Sequence, residues 1–133
     1  MVRIRSAISE LTGYKPGRQP SGSGWIKLNT NEAFEASPAA LQAVQSATAN
    51  DIRLYPSPSS HELKNKLAEH YSMSPDQVVV GNGSDDILNL IVRTCCEMND
   101  KLVTTNPAYS LYPILSSIQG INFEAIPCKD EFA

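Results

Sequence analysis

Apolar and polar residues along the 133-residue chain change period repeatedly, which predicts short helices alternating with short strands. Ser37 can cap a helix and Pro38 can occupy its first turn, so a helix is expected from there to about Ala49, with Ala39, Ala40, Leu41, Ala43, Val44 and Ala47 on its apolar side. Ser59 and Glu62 stand at capping-box spacing ahead of Leu63, Leu67 and Tyr71, which share one stripe and predict a second helix. Ser74-Pro75-Asp76-Gln77 reads as a capped turn. Ile87, Leu88, Ile91, Cys95 and Met98 recur at helical spacing and predict a third helix over 87–98. A fourth follows Tyr109 and runs to about Gln119, with Gly120 as its terminator.

Strands are expected at 25–29, 101–105 and 121–126. Val78-Val79-Val80 is β-branched and wholly apolar, which suggests a strand buried on both faces. Residues 13–24 are so dense in Gly, Pro and Ser that they read as an extended arm. The alternation of strands with helices predicts an α/β layer fold, a mostly parallel sheet flanked by helices.

Composition narrows the partners. A net charge of -3 argues against nucleic acid and anionic membrane surfaces and favours small molecules. No apolar run has signal-peptide or membrane-spanning length, so the protein is expected to be cytoplasmic. Cys95, Cys96 and Cys128 make no disulfide framework, and His61 and His70 lie off the i, i+4 spacing that brings two imidazoles to one metal; no metal site is expected.

The segment from Val78 to Ile91 carries the most chemistry. A strand ending in Gly81-Asn82-Gly83-Ser84-Asp85-Asp86 and opening a helix directs several unpaired backbone N–H groups at one point, where the helix dipole adds positive charge. Such a point binds a phosphate. The same residues also describe a well-capped helix after a tight turn, and both readings stand on the sequence alone. No Lys-Ser/Thr follows as in a Walker loop, and the third glycine of the dinucleotide fingerprint is absent. Tyr109 comes just after the next strand, at the carboxyl edge where open α/β sheets bind ligands, and can stack on a planar heteroaromatic ring.

Five segments in register carry a resemblance: Tyr14-Lys15-Pro16-Gly17, Lys27-Leu28-Asn29-Thr30-Asn31-Glu32, Leu54-Tyr55-Pro56, Val80-Gly81-Asn82-Gly83-Ser84-Asp85-Asp86, and Asn106-Pro107-Ala108-Tyr109-Ser110-Leu111-Tyr112-Pro113. Together they resemble the amino-terminal part of the histidinol-phosphate aminotransferase family, among the fold-type I pyridoxal-phosphate enzymes. The resemblance implies that the backbone amides of Ser84 and Asp85 hold the cofactor phosphate, with Gly83 also in the cofactor site, and that Tyr109 stacks on the pyridine ring. It implies a homodimer in which Tyr55 reaches the phosphate of the neighbouring subunit and Tyr14 helps close that neighbour's substrate site. Asn31 is carried over as a substrate-site residue. Residues 31–38 depart from the pattern, lacking the proline, aromatic and glycine usual after the Asn-Glu pair.

By the same resemblance, residues 1–36 form an arm and short strand, 37–73 a helical segment of the small-domain region, and 74–133 the start of an incomplete large domain. The expected activity of the parent is amino-group exchange between histidinol phosphate and 2-oxoglutarate in histidine biosynthesis. The lysine that holds the cofactor covalently matches none of Lys15, Lys27, Lys64, Lys66, Lys101 and Lys129, so the chain is expected to be a fragment without a catalytic residue of its own, inactive and weak in cofactor binding. A threonine-phosphate decarboxylase-like enzyme shares these motifs, and a non-catalytic phosphate-binding module is the alternative from another class.

Overall fold

The computed structural model describes residues 3–14 and 16–129; Lys15 of the Tyr14-Lys15-Pro16-Gly17 segment and residues 130–133 lie outside the described residues. These fall into two compact units, one of Lys15–Leu63 and one joining Met1–Tyr14 to Lys64–Ala133.

The larger unit holds the sheet. Strands β1 (Lys101–Asn106) and β2 (Asn122–Pro127) pair in parallel, with Lys101 opposite Asn122 and Asn106 opposite Pro127. Parallel pairing demands a crossover. Helix α6 (Leu111–Gln119) supplies it and packs on both strands, on α5 (Ser84–Cys95) and on the short α1 (Ser6–Ser9). Val92, Leu115 and Ile121 form the core, with Leu88, Cys96, Leu102 and Leu111 against them. Burying one such leucine contributes about 2 kcal/mol. Helix α6 ends where expected: Gly120 turns left-handed at φ 83, and its N–H and that of Ile121 both donate to the carbonyl of Ser116. The reversal delivers Ile121 to the core just before β2 begins.

Three expectations in this unit are corrected. The apolar stripe of α5 keeps Leu88 but not Ile91 and Met98, which are 51% and 82% exposed; Val92, and Cys96 just past the helix end, turn inward instead. The helix also ends at Cys95, because Cys96 is extended and a turn follows in which the Asp100 carboxylate accepts from the Glu97 amide at 2.7 Å. Residues 78–80 are not a strand. Val78 is buried but Val79 is 70% exposed, and among the described residues no neighbouring strand offers them a ladder.

The preceding elements follow their sequence signals more closely. Ser74 caps the short 3-10 helix Pro75–Gln77 in a reciprocal box with Gln77. Helix α4 (His61–His70) begins one residue later than the Ser59 signal suggested; the Ser57 hydroxyl accepts from the His61 amide at 3.4 Å, and Ser59 lies in the turn before it.

In the smaller unit, α2 (Pro38–Ser46) has Pro38 in its first turn and the Ser37 hydroxyl accepting from the Ala40 amide. It stops short of Ala49 because Thr48 starts another helix, α3 (Ala49–Arg53), through a capping box with Asp51. The strand expected at 25–29 is absent. Its side chains tie to the arm instead of to a ladder: the Arg18 guanidinium lies 4.9 Å over the Trp25 ring, and the Asn29 amide donates to the Arg18 carbonyl at 2.9 Å.

Candidate phosphate and ring site

The first turn of α5 is built by two glycines with different tasks. Gly83 precedes the helix at φ 85, where a side chain is strained, and a Cβ there meets nothing within 4 Å. Gly81 is needed for close approach, since a Cβ on it comes within 2.8 Å of both the Asp86 carboxylate and the Ile87 side chain. The loop therefore folds back tightly on the helix it opens.

The two acidic residues of that turn take different partners. Asp86 accepts from the Asn82 amide at 3.0 Å, and the Asp85 carboxylate accepts from the Tyr109 hydroxyl with both oxygens, each at 3.1 Å. No side chain caps the helix from Gly83. The amides of Ser84 and Asp85 have no carbonyl one turn back, so they carry the positive end of a 12-residue helix outward. Asp86 thus ties down the loop that enters its own helix, as the simpler reading of the sequence expects, while Asp85 turns away to Tyr109.

Tyr109 follows β1 through a loop with a cis Asn106–Pro107 peptide. Its hydroxyl lies 3.2 Å from that of Tyr14, and its ring is flanked edgewise by Tyr14 at 6.3 Å and Tyr112 at 6.1 Å. The shared bond with Tyr14 does most to hold the Tyr109 phenol well above the usual tyrosine range, followed by partial burial and by the bond to, and charge of, Asp85. Tyr109 is thus a neutral, hydrogen-bonded phenol at physiological pH.

Of the residues singled out from sequence, Gly83, Ser84, Asp85, Tyr109 and Tyr14 belong to one unit, and Tyr14 sits against the Tyr109 of its own chain. Tyr55 and Asn31 belong to the other. Tyr55 is 92% exposed before Pro56, and Asn31 is left-handed at φ 52 beside Thr30 at φ 66. In the same loop Lys27 pairs with Glu32, and that bond, with a second from Thr30, lowers the Glu32 carboxyl below the usual range. Sequence reasoning missed Asp86 as the partner of Asn82 and Tyr112 as a flank of Tyr109. The spacing of Tyr109 and Tyr112, about one helical turn, was the available signal. Lys101 stands at the opposite end of β1 from the Tyr109 loop, ion-paired with Glu124 at 2.6 Å. Among the described residues no group of three His, Cys, Asp or Glu side chains could hold a metal, and no helix is long and apolar enough to cross a membrane.

The family model for aminotransferase class I and II matches residues 23–133. A histidinol-phosphate aminotransferase of Pseudomonas syringae pv. syringae is 39% identical over 126 residues, covering 94% of this chain and 36% of that protein. That of Microcystis aeruginosa is 38% identical over 133 residues, 100% of this chain and 38% of its own length. Among solved structures, histidinol-phosphate aminotransferase from Sinorhizobium meliloti, in complex with pyridoxal-5'-phosphate, matches with a TM-score of 0.66 and 32% identity over 73% of this chain and 26% of that one. The chain spans little more than a third of the length of the curated relatives it matches.

Proposed function

The chain belongs to the class I and II aminotransferase family, and on that premise we propose that it supplies the phosphate-binding and ring-stacking side of a pyridoxal-phosphate-dependent histidinol-phosphate aminotransferase. The observation that carries the proposal is the first turn of α5, whose Ser84 and Asp85 amides no side chain caps, the Asp85 carboxylate being held by Tyr109 and the Asp86 carboxylate by the Asn82 amide. That turn fits a phosphate: a glycine without a side chain, converging N–H groups and the positive end of a helix dipole. The adjoining Tyr109 fits a planar ring.

In this reading the amides of Ser84 and Asp85 bind the phosphate and thereby fix one end of the cofactor. Gly83 lets the backbone approach it. Tyr109 covers one face of the pyridine ring, excluding water and restricting its tilt. Pyridoxal phosphate, when bound, supplies the electron sink for bond changes at the amino donor's Cα. Residues 74–133 are the beginning of the cofactor-binding domain, 37–73 a helical segment before it, and 1–36 the arm. Tyr55 acts across a cytoplasmic homodimer on the neighbour's phosphate, Tyr14 lies at the substrate side of its own chain's site through its bond to Tyr109 rather than in the neighbour's, and Asn31 belongs to the substrate site. The amino donor is histidinol phosphate and the acceptor 2-oxoglutarate, by analogy with the activity in the names of the relatives.

Competitive binding tests the reading. Pyridoxal phosphate is expected to bind at least about tenfold more tightly than pyridoxal, the scale of charge-assisted N–H bonds to phosphate after discounting for exposure. Inorganic phosphate is expected to compete. Equal affinity for the two forms, or indifference to phosphate, contradicts it.

A further inference from the structure

The Asp85 side chain has a task distinct from that of its backbone. An ionised carboxylate only accepts hydrogen bonds, and a phenol has one proton to give, so the Tyr109 proton goes to Asp85 and Tyr14 is left to donate to the Tyr109 oxygen. The result is a directed chain, Tyr14 to Tyr109 to Asp85. It ties the loop after β1 to the first turn of α5, which also meet through the packing of α6 on α5, and it does so through the tip of an aromatic ring beside the open amides. The Tyr14 and Tyr112 rings limit the swing of that ring from its sides. The bond also draws the Asp85 carboxylate toward Tyr109, so that this charge does not itself cap the amides meant for an anion.

We infer that Asp85 is a positioning residue, its carboxylate orienting the Tyr109 ring beside the anion-binding turn so that phosphate and ring recognition act on one ligand. The inference rests on the reading of the site given above and adds to it a residue that acts through another. Its effect falls on the advantage of pyridoxal phosphate over inorganic phosphate, because only the former has a ring for Tyr109 to meet.

The test measures the affinities of the full 133-residue chain for pyridoxal phosphate and for inorganic phosphate. Asp85→Ala removes the acceptor, and Tyr109→Phe keeps the ring but removes the donor. Each is expected to lower the ratio of the two affinities about five- to tenfold, the scale of one hydrogen bond to a charged group discounted for partial exposure. The double variant is expected to lower it no further, since both changes delete the same bond. In the ligand-free chain, Asp85→Ala is expected to bring the Tyr109 phenol, identified by difference against Tyr109→Phe, down toward the usual range in a tyrosinate absorbance titration. A ratio unchanged within twofold in either single variant, additive losses in the double variant, or an unmoved titration overturns the inference while leaving the anion site intact. Failure of the unaltered chain to bind either probe overturns the anion site and the inference with it.

Discussion

At the scale of single residues, the site depends on what Gly83 permits and on where two aspartates turn. Gly83 holds φ 85 and ψ 175, a region that is essentially glycine's alone and costs an L-residue on the order of 1–3 kcal/mol, and space around it is open. Gly83→Ala is therefore expected to lower stability by about that amount through backbone strain alone, with no steric clash, as measured by urea denaturation. A loss well above this range would mean that the added methyl collides with a neighbour. The glycines and Tyr109 were legible in the sequence because turn chemistry and position after a strand mark them. The partners of Asp85 and Asp86 were not, since a first-turn carboxylate is equally suited to cap its own helix, and only the fold brings Tyr109 within 3.1 Å of one of them.

Among the elements, local signals succeeded where the deciding interactions lie within a few residues. Pro38, Ser74 and Gly120 each mark a boundary that the structure keeps, because capping and left-handed termination need only neighbours in sequence. Residues 25–29 and 78–80 failed as strands for the converse reason: a ladder needs a partner that pattern alone does not provide. The break between α2 and α3 was overlooked although Thr48 and Asp51 carry capping-box spacing. That box predicts a pH dependence. The Thr48 hydroxyl, and then its backbone amide, lower the Asp51 carboxyl below the usual range. A depressed folded-state value means that the contribution of Asp51 is complete above the ordinary aspartate range and is lost as pH falls through the lowered one. Titration of the Asp51 carboxyl carbon by NMR should follow that lowered value, and Thr48→Ala should raise it; a titration indifferent to Thr48→Ala contradicts the box.

Over the whole molecule, the α/β alternation was readable because α6 must cross between parallel strands, and β1, α6 and β2 appear in that order with the expected polarity. How far the sheet is covered was not readable. The face bearing Leu102 and Thr104 is partly covered, whereas Val103 remains 50% exposed on β1 and Ile126 52% exposed on β2. The central claim is that the first turn of α5 and the Tyr109 ring receive one phosphorylated ring compound together. Backbone amide and aromatic NMR resonances followed during addition of pyridoxal phosphate test it most directly. The account predicts that the amides of Gly83, Ser84 and Asp85 and the ring of Tyr109 shift together along a single saturation curve. Shifts confined to other residues, or movement of the amides while the Tyr109 ring stays unchanged, would contradict it.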